Sequence, residues 1–89
     1  MTKQTTVQLP IPIKVGENEL TAVNIRKPKA GEMRGLKTMD LLQMDINTHA
    51  TLIPRICPDI SLAVYNELEP ENLTAIQGAV VNFFVNISA

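Results

Sequence analysis

The chain has 89 residues, 45% of them hydrophobic and 19% charged, with six prolines, one cysteine and no tryptophan. A chain of this length buries only about 60% of the surface that its unfolded form exposes, so it supports one modest core. That excludes a two-domain enzyme and makes residues 1–89 a single expected domain. Eight basic residues against nine acidic ones, with this much apolar content, exclude a disordered segment, and the lone Cys57 excludes an intrachain disulfide framework. Lys3 and a Thr/Gln stretch follow Met1 where a leader would need an apolar run, so no signal peptide is expected and the cytoplasm is the expected compartment.

The charge is unevenly placed. Residues 1–37 carry seven basic and three acidic residues, a net +4, and residues 38–89 carry Arg55 against six acidic residues, a net −5. Opposed halves attract within a fold, between copies head to tail, or toward a charged partner. The basic residues of the first half have no aromatic residue among them on which a base could stack, so nucleic acid is not the expected partner.

Val7, Leu9, Ile11 and Ile13 alternate with polar residues and prolines, which predicts a half-buried strand, and Pro10 and Pro12 make it an edge strand whose free side resists pairing. Turn residues from Lys14 to Asn18 lead to a second alternating run, Glu19 to Arg26, which stops at Pro28. The pair predicts a β-hairpin over about 5–27. Pro28 to Leu36 reads as a short helical turn. Thr38 is placed to cap a helix from Met39 to Met44, with Met39, Leu42 and Ile46 on one face. A helix from Asn47 or Thr48 to Cys57 turns Leu52, Ile53, Ile56 and Cys57 inward, with Pro54 kinking it or delaying its start. Ser61 caps a short segment that buries Leu62, Tyr65 and Leu68. Pro70, flanked by Glu69 and Glu71, opens the longest helix, to about Asn86. The fold class is therefore α+β: an N-terminal hairpin, then a small bundle of three to four helices over about 30–88, the longest C-terminal.

That last helix carries the clearest functional signal. At about 100° per residue, Leu73, Ile76, Val80, Phe83, Phe84 and Ile87 share a core stripe, while Val81 and Val85 lie off it, and no charge occurs after Glu71. The apolar arc covers about two thirds of the circumference by that arithmetic, too much for so small a core to cover. Either the helix is central and wrapped by its own hairpin and short helices, or Val81 and Val85 face a second polypeptide. Asn72, Thr74, Gln77, Asn82 and Asn86 oppose a membrane span.

Catalytic patterns are sparse. Asp45 and His49 at i, i+4 could share a metal, but no HExxH motif or paired cysteines accompany them, and a solvated pair is the expected reading. Cys57 with His49 as its base is a conceivable nucleophile, and a small buried apolar role for Cys57 is the simpler one. No phosphate-binding glycine loop is present, and Glu67, Glu69 and Glu71 are explained by the helix that they precede.

The order Ile25-Arg26-Lys27-Pro28, then Ala30-Gly31-Glu32-Met33-Arg34-Gly35-Leu36, then Leu68-Glu69-Pro70-Glu71-Asn72-Leu73 leading to Val80-Val81-Asn82-Phe83-Phe84 resembles the phage tail assembly chaperone family, the tail protein E type of contractile-tailed phages and prophages. The resemblance implies a non-enzymatic protein of the host bacterial cytoplasm that binds the tape measure protein and keeps it soluble until tail tube protein polymerises around it. It also implies a homo-oligomer, two product lengths made by frameshifting, and no cofactor or metal. Val81, Phe84, Val85 and Ile87 are the expected client or self contacts, and Arg26 and Arg34 are expected to place the hairpin against the helices. The alternative is a small DNA-binding or regulatory protein using Lys27, Lys29, Arg34 and Lys37 on phosphates, which salt would distinguish.

Overall fold

The computed structural model describes residues 4–85. Strands β1 (Gln4–Val15) and β2 (Asn18–Arg26) form an antiparallel hairpin, followed by a 3-10 turn (Ala30–Met33) and helices α1 (Thr38–Leu42), α2 (Ile46–Ile56), α3 (Leu62–Asn66) and α4 (Pro70–Val85). The architecture is α+β with the longest helix last, as the residue pattern predicts.

The hairpin closes through Gly16–Glu17, where Gly16 takes the left-handed φ of +64° that a two-residue turn of this hand requires. Its register is regular from Gln4↔Arg26 to Gln8↔Ala22 and resumes at Ile13↔Leu20, so residues 9–12 of β1 face only Thr21 of β2. The interruption falls on Pro10-Ile11-Pro12. Neither proline has an N–H to give a ladder, and the backbone leaves β2 there. It is met by α4. The Asn72 side chain, fully buried, accepts from the Ile11 N–H at 3.0 Å and donates through Nδ2 to the Ile11 carbonyl at 2.8 Å. The expectation of a free, proline-guarded edge is thus corrected at this stretch: a helix side chain occupies it.

Val7, Leu9, Val23 and Ile25 turn one face of the hairpin onto Leu41, Leu52, Ile53, Ile56, Ile60, Tyr65, Ile76 and Val80. Cap residues set the helix starts. Asp45 Oδ2 accepts from the Thr48 N–H at 2.9 Å and Ser61 Oγ from the Val64 N–H at 3.3 Å. Thr38, expected as a cap, is instead the first residue of α1, behind Lys37. Helix α2 starts at Ile46, not later, and runs through Pro54.

Three apolar residues expected inside are outside: Met39, Ile46 and Leu62 are 63%, 59% and 54% exposed. Met39, Leu42 and Ile46 would share a face on one helix, but Met44 at φ +59° ends the first helical segment, and Leu41 is the residue that α1 buries. Helix α3 has five residues and is anchored by Tyr65, whose hydroxyl donates to the Ile46 carbonyl at 2.7 Å, which leaves Leu62 outward.

His49 is fully buried, against the expectation of a solvated Asp–His pair. Its Nε2 lies 2.9 Å from the Leu41 carbonyl, so the neutral ring donates there, and Nδ1 has no partner. Burial pulls its pKa below the ordinary 6.5, against smaller opposing effects of the Leu41 hydrogen bond and the Asp45 charge.

Two predictions follow from this packing. Asn72→Ala leaves both Ile11 groups without partners and should cost about 2–4 kcal/mol in urea unfolding, whereas Glu71→Gln one residue earlier should cost only about 0.3–1 kcal/mol through the lost charge at the helix start; a near-parental midpoint for Asn72→Ala would refute the clamp. For His49, the unfolded ring takes up a proton below pH 6.5 that the folded ring refuses, so stability is complete above that value and falls as pH drops beneath it, toward the lowered folded pKa. The lowered carboxylates Glu32 and Asp45 titrate below their ordinary 4.5 and 3.8, outside this window. The melting midpoint should therefore decline between pH 7 and 5. His49→Gln should cost about 1–3 kcal/mol at pH 7, where a solvated residue would cost nothing, and should flatten that decline.

Candidate partner-binding site

Pro70 at the first position, with Glu71 behind it, starts α4 where a missing N–H and a negative charge are both favourable. Ile76 and Val80 are fully buried, and Gln77 is nearly so, donating through Nε2 to the Met44 carbonyl at 3.3 Å. Beyond Val80 the burial falls away. Val81, Phe83 and Phe84 are each only half-buried and Asn82 is exposed, so the last turns of α4 present apolar surface that the domain covers incompletely. The backbone of Val85 belongs to α4, while its side chain, and Ile87 altogether, lie outside the described residues.

Arg26 closes the opposite, open end of the hairpin. Its guanidinium pairs with the Glu32 carboxylate and donates to the Arg55 carbonyl at 2.9 Å, and Arg55 donates to the Glu32 carbonyl. The end of β2, the 3-10 turn and the end of α2 are joined there. The Arg26 guanidinium and the Lys29 N–H, which donates to Glu32 at 3.1 Å, hold the Glu32 carboxyl below its ordinary range. Arg34 follows the 3-10 turn and is exposed. These arginines and the Val81–Phe84 surface belong to different parts of the fold: α4 meets the hairpin at Ile11, partway along β1.

Sequence reasoning missed two further features. Ile46 and Leu62 are the first helical residues after the caps Asp45 and Ser61, and the Tyr65–Ile46 bond ties their two helices together. A cap followed at once by an apolar residue was the available signal, since that position precedes the turn that packs inward. The second is a groove of about 230 Å³ between β1 and the α3–α4 corner, lined by apolar Ile11, Ile13, Val64 and Leu68 and by the exposed charged residues Lys14, Glu67 and Glu69. Its two sides come from residues at least fifty positions apart.

The residues weighed for chemistry are otherwise engaged. Asp45 is spent on its cap and His49 on Leu41, and burial pushes the Cys57 thiol up to about 11, far from the range of a nucleophile. Among the described residues no three His, Cys, Asp or Glu side chains are grouped to hold a metal ion, and no helix is long and apolar enough to cross a membrane.

A family model described as phage tail assembly chaperone proteins, E, or 41 or 14, matches residues 6–85. Tail assembly protein E of Escherichia phage P2 is 30% identical over 84 residues, covering 93% of this chain and 92% of that protein. Tail assembly protein E′ of the same phage is 30% identical over 86 residues, covering 96% of this chain but 61% of the longer relative, so the chain spans about three fifths of E′. No solved structure matches. The family match takes in the hairpin, the Arg26 junction, the Asn72 clamp and the half-covered end of α4 together, and by it the chain belongs to the phage tail assembly chaperone family.

Proposed function

We propose that the chain is a non-enzymatic chaperone that binds the tape measure protein in the host bacterial cytoplasm and keeps it soluble until tail tube protein polymerises around it. The observation that carries this reading is the end of α4, where Val81, Phe83 and Phe84 remain half-covered on a helix whose earlier turns bury Asn72, Ile76, Gln77 and Val80. An apolar helix face of this kind suits helix-against-helix capture, and weak contacts repeated along a long client add through multivalency. Val81, Phe84, Val85 and Ile87 are the contacts in this proposal, and Arg26 holds the end of β2 against the 3-10 turn and the end of α2, away from them. Self-association belongs to the same reading, as does a longer, frameshifted product; the two lengths of the P2 relatives E and E′ support the latter.

The test is the double variant Val81→Lys with Val85→Lys. Lysine is a better helix former than valine, so a partner-facing flank should tolerate the change, with the far-UV circular dichroism and melting midpoint close to parental. Co-expressed tape measure protein should then move from the soluble to the pelleted fraction. A folded variant that still keeps the client soluble would refute this interface. An unfolded one would place the flank in the core, where two buried ammonium groups cost several kcal/mol.

A further inference from the structure

The fold gathers cations around the 3-10 turn. Arg55 is the one basic residue after position 37, and α2 carries it to this turn, where it donates to the Glu32 carbonyl at 2.5 Å. Arg26 reaches the same place from β2 and pairs with the Glu32 carboxylate. Lys27, Lys29, Arg34 and Lys37 lie within five residues of Glu32 along the chain, and all four are exposed, as is Arg55. Six of the eight basic residues thus stand around one carboxylate, which is already paired. Among the described residues no ion pair links any of them to Asp40 or Asp59, the next carboxylates along the chain. The rest of the sequence carries Lys3 and Lys14 against eight acidic residues, a net −6. Like charges brought together in this way repel one another and work against the fold, and an anionic partner relieves that repulsion.

The surroundings select the kind of anion. A guanidinium has five N–H donors in a fork that fits a carboxylate or a phosphate, and among the described residues the bonds to Glu32 and to the Arg55 carbonyl occupy only Nη2 of Arg26 and Nη1 of Arg55. That much suits either group. Between residues 26 and 37, however, no aromatic side chain is present on which a base could stack, and the acidic remainder of the chain opposes a polyanion long enough to run past the turn. Met39, two residues beyond Lys37, is 63% exposed, the most of any large apolar residue among those described. A phosphate backbone has no use for it. A flexible thioether suits a peptide that carries an apolar side chain beside its carboxylates.

We propose that the surface around the 3-10 turn binds an acidic segment of another polypeptide, with Asp or Glu carboxylates on the arginine and lysine head groups and one large apolar residue on Met39. The site shares no residue with the α4 surface, and its test needs no tape measure protein.

The probe is a labelled peptide of about twelve Asp and Glu residues with two leucines among them, titrated with the full chain at about 50 mM salt and read by fluorescence anisotropy. Binding should weaken at least about tenfold at about 500 mM salt. Lys37→Glu should weaken it at least about fivefold, whereas Lys14→Glu, the same change in net charge at the closed end of the hairpin, should leave it within about twofold. Met39→Ser should weaken the leucine peptide and leave a counterpart with serine in place of leucine unaffected. A DNA duplex of equal charge should bind more weakly than the leucine peptide. Position 37 precedes α1, where an acidic residue favours the helix start, and melting curves check that each variant is folded. The salt and duplex comparisons use the unsubstituted chain. The proposal is overturned if the peptide does not bind, if Lys14→Glu weakens it as much as Lys37→Glu does, or if Met39→Ser has no effect on the leucine peptide. Tighter binding of the duplex would overturn it too and assign the surface to nucleic acid.

Discussion

One side-chain amide decides how the two halves of this chain meet. Pro10 and Pro12 remove two donors from β1, and between them Ile11 keeps an N–H and a carbonyl that β2 does not pair. Asn72 answers both groups at once, presenting an acceptor and a donor in the spacing that a neighbouring strand's peptide would offer. Because Asn72 lies in the first turn of α4 and is fully buried, the pairing fixes where the helix crosses the hairpin. The rest of α4 follows from that anchor: Ile76 and Val80 come over the core, and Phe83 and Phe84 pack against it while remaining half-exposed. The groove between β1 and the α3–α4 corner is the space left beside the same crossing.

The short helices create a second demand that the long ones meet. Helix α1 has five residues, too few to satisfy its own final carbonyls. Leu41 carries one of them and Met44, just beyond the helix, has another free carbonyl, and the side chains that donate to the two come from elsewhere, His49 from α2 and Gln77 from α4. Met44 adopts a left-handed conformation that a branched or bulky residue seldom takes, and its carbonyl is then available to Gln77. The buried polar residues Asn72, Gln77 and His49 are thus the partners of backbone groups in or beside irregular local structure, the Leu41 carbonyl accepting from the Met44 N–H as well as from His49.

This explains which parts of the fold were legible in the sequence. The hairpin was readable because alternation and a Gly-centred turn are local, and the span of α4 because Pro70 and an uninterrupted apolar helical pattern are local too. The inward set of α2, Leu52, Ile53, Ile56 and Cys57, followed from spacing alone and is buried. The roles of Asn72, Gln77 and His49 were not legible, since each is defined by a carbonyl or N–H between 8 and 61 positions away. His49 was expected in a solvated pair, and Asn72 and Gln77 spoke only against a membrane span; their partners make all three core. Met39 and Ile46 failed in the opposite direction, because apolar spacing was applied across helices that Met44 and the Asp45 cap divide, and Leu62 because it directly follows its cap, outside the turn that Tyr65 anchors. For the candidate site, the excess apolar surface of α4 could be read from periodicity, whereas the groove could not, since it exists only once β1 and the α3–α4 corner are brought side by side.

The burial of Cys57 has a consequence for any setting in which many copies of this chain crowd together. A single surface thiol per copy would let neighbours couple covalently, and a reversible association would become a permanent one whenever an oxidant appeared. Here the sulfur is shielded from solvent and its pKa is pushed up to about 11, so at neutral pH almost none of it is the thiolate that begins disulfide exchange. The chain can therefore be packed densely and later dispersed without leaving cross-linked pairs behind.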